Sequence, residues 1–213
     1  MSEPKSRRRG AELEQAILDA AWAELTEVGY ARFTVEGVAA RAGTSKPVLY
    51  RRWKNRAELA LAAWNHRVPV TGIAPDTGDL RSDLLALFAK ISRRTGSLMS
   101  EMIAGVMSET FRHPEVAELL RSRLTQPSPL TEAVRLVVDR AVERGELPPL
   151  EVPHRALRAP LDLVRNEYIT CGQSLGDETI AELVDDVYLP LLRGLGVVDP
   201  GTGGLGAGGP DTA

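Results

Sequence analysis

The chain has 213 residues, 43% hydrophobic and 26% charged, a balance ordinary for a globular protein of one domain or two small ones. Cys171 is the single cysteine, which excludes an intrachain disulfide and a cysteine-rich zinc site, and no run reaches the ~18 apolar residues of a membrane helix. The net charge of −3 conceals an asymmetry: residues 1–66 hold eleven bases and eight acids, residues 67–213 fifteen bases and twenty-one acids, so a polyanionic partner is expected to meet only the N-terminal part.

Residues 1–10 are polar and basic, with Lys5, Arg7, Arg8 and Arg9 and no apolar centre. They predict a disordered basic arm rather than a secretory signal, and a soluble cytoplasmic protein follows. Over 11–28, Leu13, Ile17, Ala21, Leu25 and Val28 recur at three- and four-residue steps, the pattern of an amphipathic helix, ended by Gly29. Thr34 can cap a second helix carrying Val38, Ala39 and Ala42 on one face, and Gly43 can stop it in the left-handed conformation. Ser45 can cap a third, with Pro47 in its first turn, where a missing N–H does no harm. Between Arg41 and Arg56 stand six bases (Arg41, Lys46, Arg51, Arg52, Lys54, Arg56) and no acid. Helix, glycine turn and short basic helix outline a helix-turn-helix DNA reader. Asn55 and Glu58 have the spacing of a capping box for a fourth helix to about residue 67, whose Leu59, Ala63 and Trp64 can pack on the first three.

Residues 69–78, rich in Pro, Gly, Thr and Asp, predict the boundary between an N-terminal unit (11–67) and a helical body (79–195). Helices are expected over 79–95, 97–112, 114–124 and 130–144, with Pro127 and Pro129 interrupting the third from the fourth. Two long apolar helices follow, 153–171 and 177–195, each with a proline (Pro160, Pro190) that predicts a kink or an early break. Residues 196–213 are glycine-rich and predict a disordered tail. The fold class is therefore all-α, and no repeat is visible.

The segment TVEGVAARAGTSKPVLYRRWKNRAEL resembles the DNA-binding domain of the tetracycline-repressor type (TetR/AcrR) family of bacterial transcription regulators. The pieces that carry the resemblance are Thr34, the run AARAG over 39–43, Ser45, Leu49, Tyr50, Trp53, Lys54, Arg56 and Leu59. The remainder is similar to that family's helical ligand-binding and dimerisation body in plan. Two positions depart from the pattern: Glu36 stands where a basic or neutral residue often helps hold DNA, and Pro127 and Pro129 interrupt a helix that is often longer.

The resemblance implies a double-stranded DNA partner, and it places Lys46, Pro47, Tyr50 and Arg51 at base-facing positions. Arginine can donate bidentately to guanine O6 and N7, Lys46 can donate to the same atoms, and Pro47 can touch a thymine methyl. Thr44, Lys54 and Arg56 are expected on phosphates, the Tyr50 hydroxyl with them, and Arg52 in either role. Thr34 and Ser45 complete the DNA-binding set, while Val48, Leu49 and Trp53 are assigned to packing. One short helix reads few bases, so a homodimer on a palindromic operator is expected. Its surface is assigned to the last two helices, through Leu157, Leu161, Val164 and Tyr168 and through Ile180, Leu183, Val187 and Leu191.

A pocket for an unknown small-molecule effector is expected among the middle helices. Phe88, Met99, Met102, Met107 and Phe111 are its apolar candidates, beside Trp64, with Arg165 as a polar one; Glu101 and Glu109 are expected at the surface. His66, His113 and His154 lie too far apart for metal-ligand spacing, and no nucleophile–base pair or phosphate loop stands out, so neither a cofactor, a metal nor an enzymatic activity is expected. The function read from the chain is a homodimeric repressor released from its operator by an effector. The alternative is a dimeric small-molecule-binding protein with weak or vestigial DNA binding.

Overall fold

Gly29, with φ 70° and ψ 168°, breaks the helical path of α1 (Ala11–Arg32) one turn before its end. The expected stop at Gly29 is thus a kink, after which Tyr30 turns inward and stacks on Phe33 with ring centroids 6.3 Å apart. This computed structural model describes residues 10–68, 72, 74–94, 96–171 and 175–197. The basic arm and all but the first two residues of the glycine-rich tail lie outside them. Every regular element among the described residues is helical, and no described helix is long and apolar enough to cross a membrane.

Three further helices complete the N-terminal unit: α2 (Val35–Ala42), α3 (Lys46–Tyr50) and α4 (Arg56–Arg67). Asn55 caps α4 by accepting from the Glu58 N–H at 2.8 Å. Glu58 reaches back to the N–H of Lys54 at 2.7 Å, one residue before the cap. The body contains α5 (Leu80–Arg94), α6 (Ser97–Glu109), α7 (Pro114–Thr125), α8 (Pro129–Glu143) and α9 (His154–Cys171). A last helical run follows as α10 (Asp177–Glu182), a π-helical turn (Leu183–Tyr188) and α11 (Leu189–Val197).

Both interior prolines are accommodated without a break. Pro160 lacks the N–H that would bond the Ala156 carbonyl four residues back. The buried Tyr188 hydroxyl donates to that carbonyl instead, at 3.1 Å, while its ring packs on Phe88. Pro190 stands two residues past the end of the π-helical turn, whose wider loop relieves the clash between a proline ring and the carbonyl four residues before it. Ser128 caps α8 reciprocally with Thr131, so Pro127 falls in the inter-helix break and Pro129 is the first residue of α8, where its missing N–H does no harm.

The apolar side chains form two clusters. One gathers α5, α8, α9 and the C-terminal run, with Leu84, Leu87, Phe88, Val134 and Val164 fully buried. The other gathers α1 to α4 and also receives Met102 and Val106 from α6 and Val116 from α7. The sequence boundary at 69–78 is therefore not a boundary in packing. Gly105 explains how closely α1 and α6 approach: a Cβ there would run into the Tyr30 ring.

Candidate nucleic-acid interface and effector cavity

The Thr34 hydroxyl accepts from the Gly37 N–H at 3.0 Å and starts α2. Gly43 ends it at φ 64°, ψ 38°, and the Thr44 N–H closes the turn onto the Ala39 carbonyl at 3.0 Å. A Cβ at Gly43 would meet nothing within 4 Å, so the backbone conformation, not space, calls for glycine. Ser45 occupies the cap position of α3, but its hydroxyl makes no capping hydrogen bond. The reason is local: Pro47 has no N–H to offer, and the next N–H, of Val48, donates to the Ser45 carbonyl at 2.9 Å. Ser45 is left exposed rather than spent on the cap.

Leu49 and Trp53 are buried and anchor α3 from beneath, with the N–H groups of Arg52 and Trp53 both donating to the Leu49 carbonyl. Their anchoring turns Lys46, Pro47, Tyr50 and Arg51 outward, with Arg52 and Lys54 beside them and Thr34 at the start of α2; all are exposed, and Thr44 is half-buried. With Ser45, eight of the expected DNA-binding residues are thus exposed.

Several of the cations already have acids. Lys46 pairs with Glu36, whose carboxyl is held below the usual carboxylate range chiefly by the hydrogen bond from Lys46. Arg52 pairs with Glu14 of α1, and Arg41 with Glu24 at 3.2 Å and Glu27 at 2.6 Å. Among the described residues, Arg51 and Lys54 make no ion pair. Glu36, which fits the family pattern least well in sequence, is therefore the partner of a candidate base-reading lysine.

Arg56 is the clearest departure from expectation. Its guanidinium does not face outward with Lys54 but turns inward. It donates through Nε to Glu109 at 2.8 Å and through Nη1 to the Phe33 carbonyl at 3.1 Å, and lies 4.9 Å from the centre of the Tyr30 ring. The Tyr30 hydroxyl donates to the same Glu109 oxygen at 3.0 Å. Burial, and after it the Glu109 charge, push the Tyr30 phenol far above its ordinary range, so it remains a donor. Glu109, expected at the surface, is largely buried. No local signal announces this constellation, because 53 and 79 residues separate the acid from its two donors.

The expected effector residues do not form one pocket. Phe88 and Met102 are fully buried, in the body cluster and the N-terminal cluster respectively, and Phe111 is 91% exposed. Met99 and Trp64 line a cavity of about 530 Å³. Asn65 of α4, Val68 just past its end, Ile91 and Arg94 of α5, and Arg123, Leu130 and Leu161 line it as well. Met107 and Arg165 line a second, more open space of about 530 Å³ along α9. Three arginines, Arg155, Arg158 and Arg165, line it with one acid, Asp162, which accepts from Arg158 at 2.7 Å and also pairs with Arg165. Among the described residues, no group of three His, Cys, Asp or Glu is placed to hold a metal ion.

The stripes assigned to a dimer surface divide likewise. Leu157, Val164, Tyr168, Ile180 and Leu183 are buried in the chain's own core, and Leu161 is half-buried. Val187 (43% exposed) and Leu191 (38%) face outward, with Ile169 on α9.

A capped helix, a left-handed glycine turn and a short basic helix, mounted on an all-helical body, define a helix-turn-helix DNA-binding regulator. The profile described as bacterial regulatory proteins, tetR family, matches residues 17–63, and that described as tetracyclin repressor-like, C-terminal domain, matches 74–187. An uncharacterized HTH-type transcriptional regulator of Mycobacterium tuberculosis H37Rv is 34% identical over 168 residues, 79% of this chain and 82% of the relative. The DNA-binding transcriptional repressor TetR of Mycobacteroides abscessus is 33% identical over 188 residues, 87% and 96% of the two chains. Among solved structures, a TetR family transcription regulator, SCO0332, superposes with TM-score 0.61 at 26% identity, over 83% of this chain and 97% of that one. The chain belongs to the TetR family of bacterial DNA-binding transcriptional regulators.

Proposed function

We propose that the protein is a homodimeric repressor that binds a palindromic operator through α2 and α3 and leaves it when a small molecule enters the cavity between α4 and α9. Residues 11–67 form the DNA-reading unit and residues 79–195 the effector-binding and dimerisation body, and the protein acts in the cytoplasm, where its DNA target lies. Repression is carried over from the M. abscessus relative, which is named a repressor.

One observation carries the ligand response: the same two helices meet both the cavity and the Arg56–Glu109 pair. Helix α4 begins at Arg56 and ends with Trp64 and Asn65 on the cavity; α6 begins near Met99 on the cavity and ends at Glu109. Met99 and Glu109 lie ten residues apart, or about 15 Å along the helix. A ligand that alters the fit of α4 against α6 would reposition α3, which is joined to α4 by residues 51–55. It must bind the DNA-incompetent arrangement more tightly, or the equilibrium does not move.

Dimerisation is supported by the outward apolar residues Val187 and Leu191 on the last helical run. The test is an electrophoretic shift on the DNA upstream of the protein's own coding sequence. The reading expects a discrete shift that a scrambled fragment of equal length does not give; a folded dimer that shifts nothing at low salt overturns it.

The second reading, a dimeric small-molecule-binding protein with weak DNA binding, has one observation in its favour. Arg41, Lys46, Arg52 and Arg56, four of the six bases around α3, are each paired with an acid within the chain. The two readings differ in salt dependence and in sequence preference.

A further inference from the structure

The groove along α9 carries more positive charge than it answers. Arg155, Arg158 and Arg165 line it against the single acid Asp162, with Met107 and Ile169 among its apolar lining. Asp162 serves both Arg158 and Arg165, while Arg155 is exposed and makes no ion pair among the described residues. Glu167, the other acid of α9, is outside the lining and accepts from the Cys171 thiol.

The last helical run is the reverse, for residues 177–197 hold five acids and one base. Asp185 pairs with Arg81 of α5 at 2.7 Å, and the base, Arg193, also acts on Asp185. Glu178, Glu182 and Asp186 stand four residues apart, all exposed and none in an ion pair among the described residues. That spacing keeps the three on one side of a helix. Val187 and Leu191 expose apolar surface beside them.

We propose that these two faces are the halves of one interface between copies of this chain. The acid row of each subunit lies along the arginine groove of its partner, as the charged rim of a dry centre made by Val187 and Leu191. This rests on the reading of the protein as a homodimer and names the charges that match its halves. A two-fold contact is isologous, so a subunit that offers the acid row also receives its partner's in return. A small anion would answer the groove and leave the acid row; a second copy answers both. The lengths agree as well: Arg155 to Arg165 spans ten residues, or about 15 Å, and Glu178 to Asp186 eight, or about 12 Å. Exposed pairs contribute little strength one by one, so the rows act chiefly on the choice of partner, accepting opposite charge and repelling like.

Sedimentation equilibrium of the full chain tests the inference, with Arg155→Glu and the double variant Glu182→Arg, Asp186→Arg. Each variant by itself sets like charges together at both contacts, and is expected to self-associate ~10-fold or more weakly than the native chain. An equal mixture restores opposite charges at both contacts and is expected to form a heterodimer within about threefold of native affinity. Thermal unfolding shows that both variants are folded, and Glu182→Arg alone serves if the double variant is not. The native dimer, which needs no variant, is expected to weaken several-fold between ~50 mM and ~500 mM salt. Folded variants that associate like the native chain, variants that stay weakened on mixing, or a native dimer indifferent to salt would overturn the inference and leave the dimer reading standing. A native chain that is monomeric at tens of micromolar overturns both.

Discussion

Arg56, the first residue of α4, donates to Glu109, the last residue of α6, at 2.8 Å, and Tyr30 donates to the same carboxylate oxygen at 3.0 Å. Three helices far apart in sequence thus meet on one acid, at the end of the DNA-reading unit that faces the body. Removing that acid leaves the buried Tyr30 hydroxyl without its acceptor and Arg56 with only the Phe33 carbonyl. Glu109→Ala is expected to cost about 1–3 kcal/mol in urea denaturation. It is also expected to shrink the ligand-induced fall in DNA affinity, measured by anisotropy, because α4 and α6 lose their shared anchor. Unchanged stability would mean that the contact contributes nothing in solution.

Neighbouring residues of α3 should separate packing from reading. Leu49→Ala empties a fully buried site and is expected to cost ~2–5 kcal/mol and to abolish DNA binding with it. Arg51→Ala is exposed and should alter stability by no more than about 0.5 kcal/mol. Competition between matched and altered operators should then show a loss of preference worth ~1–3 kcal/mol at the base pair it contacts. Denaturation and competition binding on both variants check the pair of expectations.

Glu36 holds Lys46 and is itself held ionised by it. Its pKa is lowered on folding, so whatever the pair contributes is present above the ordinary carboxylate range and is lost only as pH falls through the lowered value. Lys46 should therefore stay engaged throughout pH 5–8, and this pair should add no pH dependence to DNA binding there. Glu36→Gln frees the lysine and removes a phosphate-repelling charge, so affinity at low salt should rise several-fold across the same range. An unchanged or lower affinity would assign Lys46 no part in DNA contact.

Much of the local architecture was legible because it depends on neighbours in sequence. The Thr34 cap, the left-handed Gly43 and the Asn55 cap are each decided within a few residues. What was not legible depends on distant partners. Pro160 predicts a break until Tyr188, 32 residues beyond the orphaned Ala156 carbonyl, supplies the missing donor. Arg56 reads as a phosphate contact until Glu109 turns it inward. The methionines read as one pocket because composition cannot say which helix face each occupies: Met102 faces the N-terminal cluster, Met99 the cavity and Met107 the groove along α9. The capping role of Ser45 failed for a local reason that was available, the missing N–H of Pro47.

Val187 and Leu191 expose apolar surface on a helical run whose Ile180, Leu183, Val184, Tyr188, Leu189 and Leu192 are buried. A charge there should oppose association without disturbing the core. Val187→Glu is expected to give a monomer in sedimentation at micromolar concentration, with helical circular dichroism unchanged and operator affinity greatly reduced. A Val187→Glu dimer as stable as the native one would place the dimer surface elsewhere.

The salt dependence of affinity for the protein's own upstream DNA tests the central claim most directly, because it counts the cations that meet phosphate. Arg51 and Lys54 carry no ion pair among the described residues, and a dimer offers each of them twice. Counterion release then predicts a slope of log K against log salt of about −4 or steeper, with a scrambled fragment of equal length bound far more weakly. A slope near zero, with the two fragments bound alike, would contradict the account and leave a ligand-binding dimer whose basic helix no longer reads DNA.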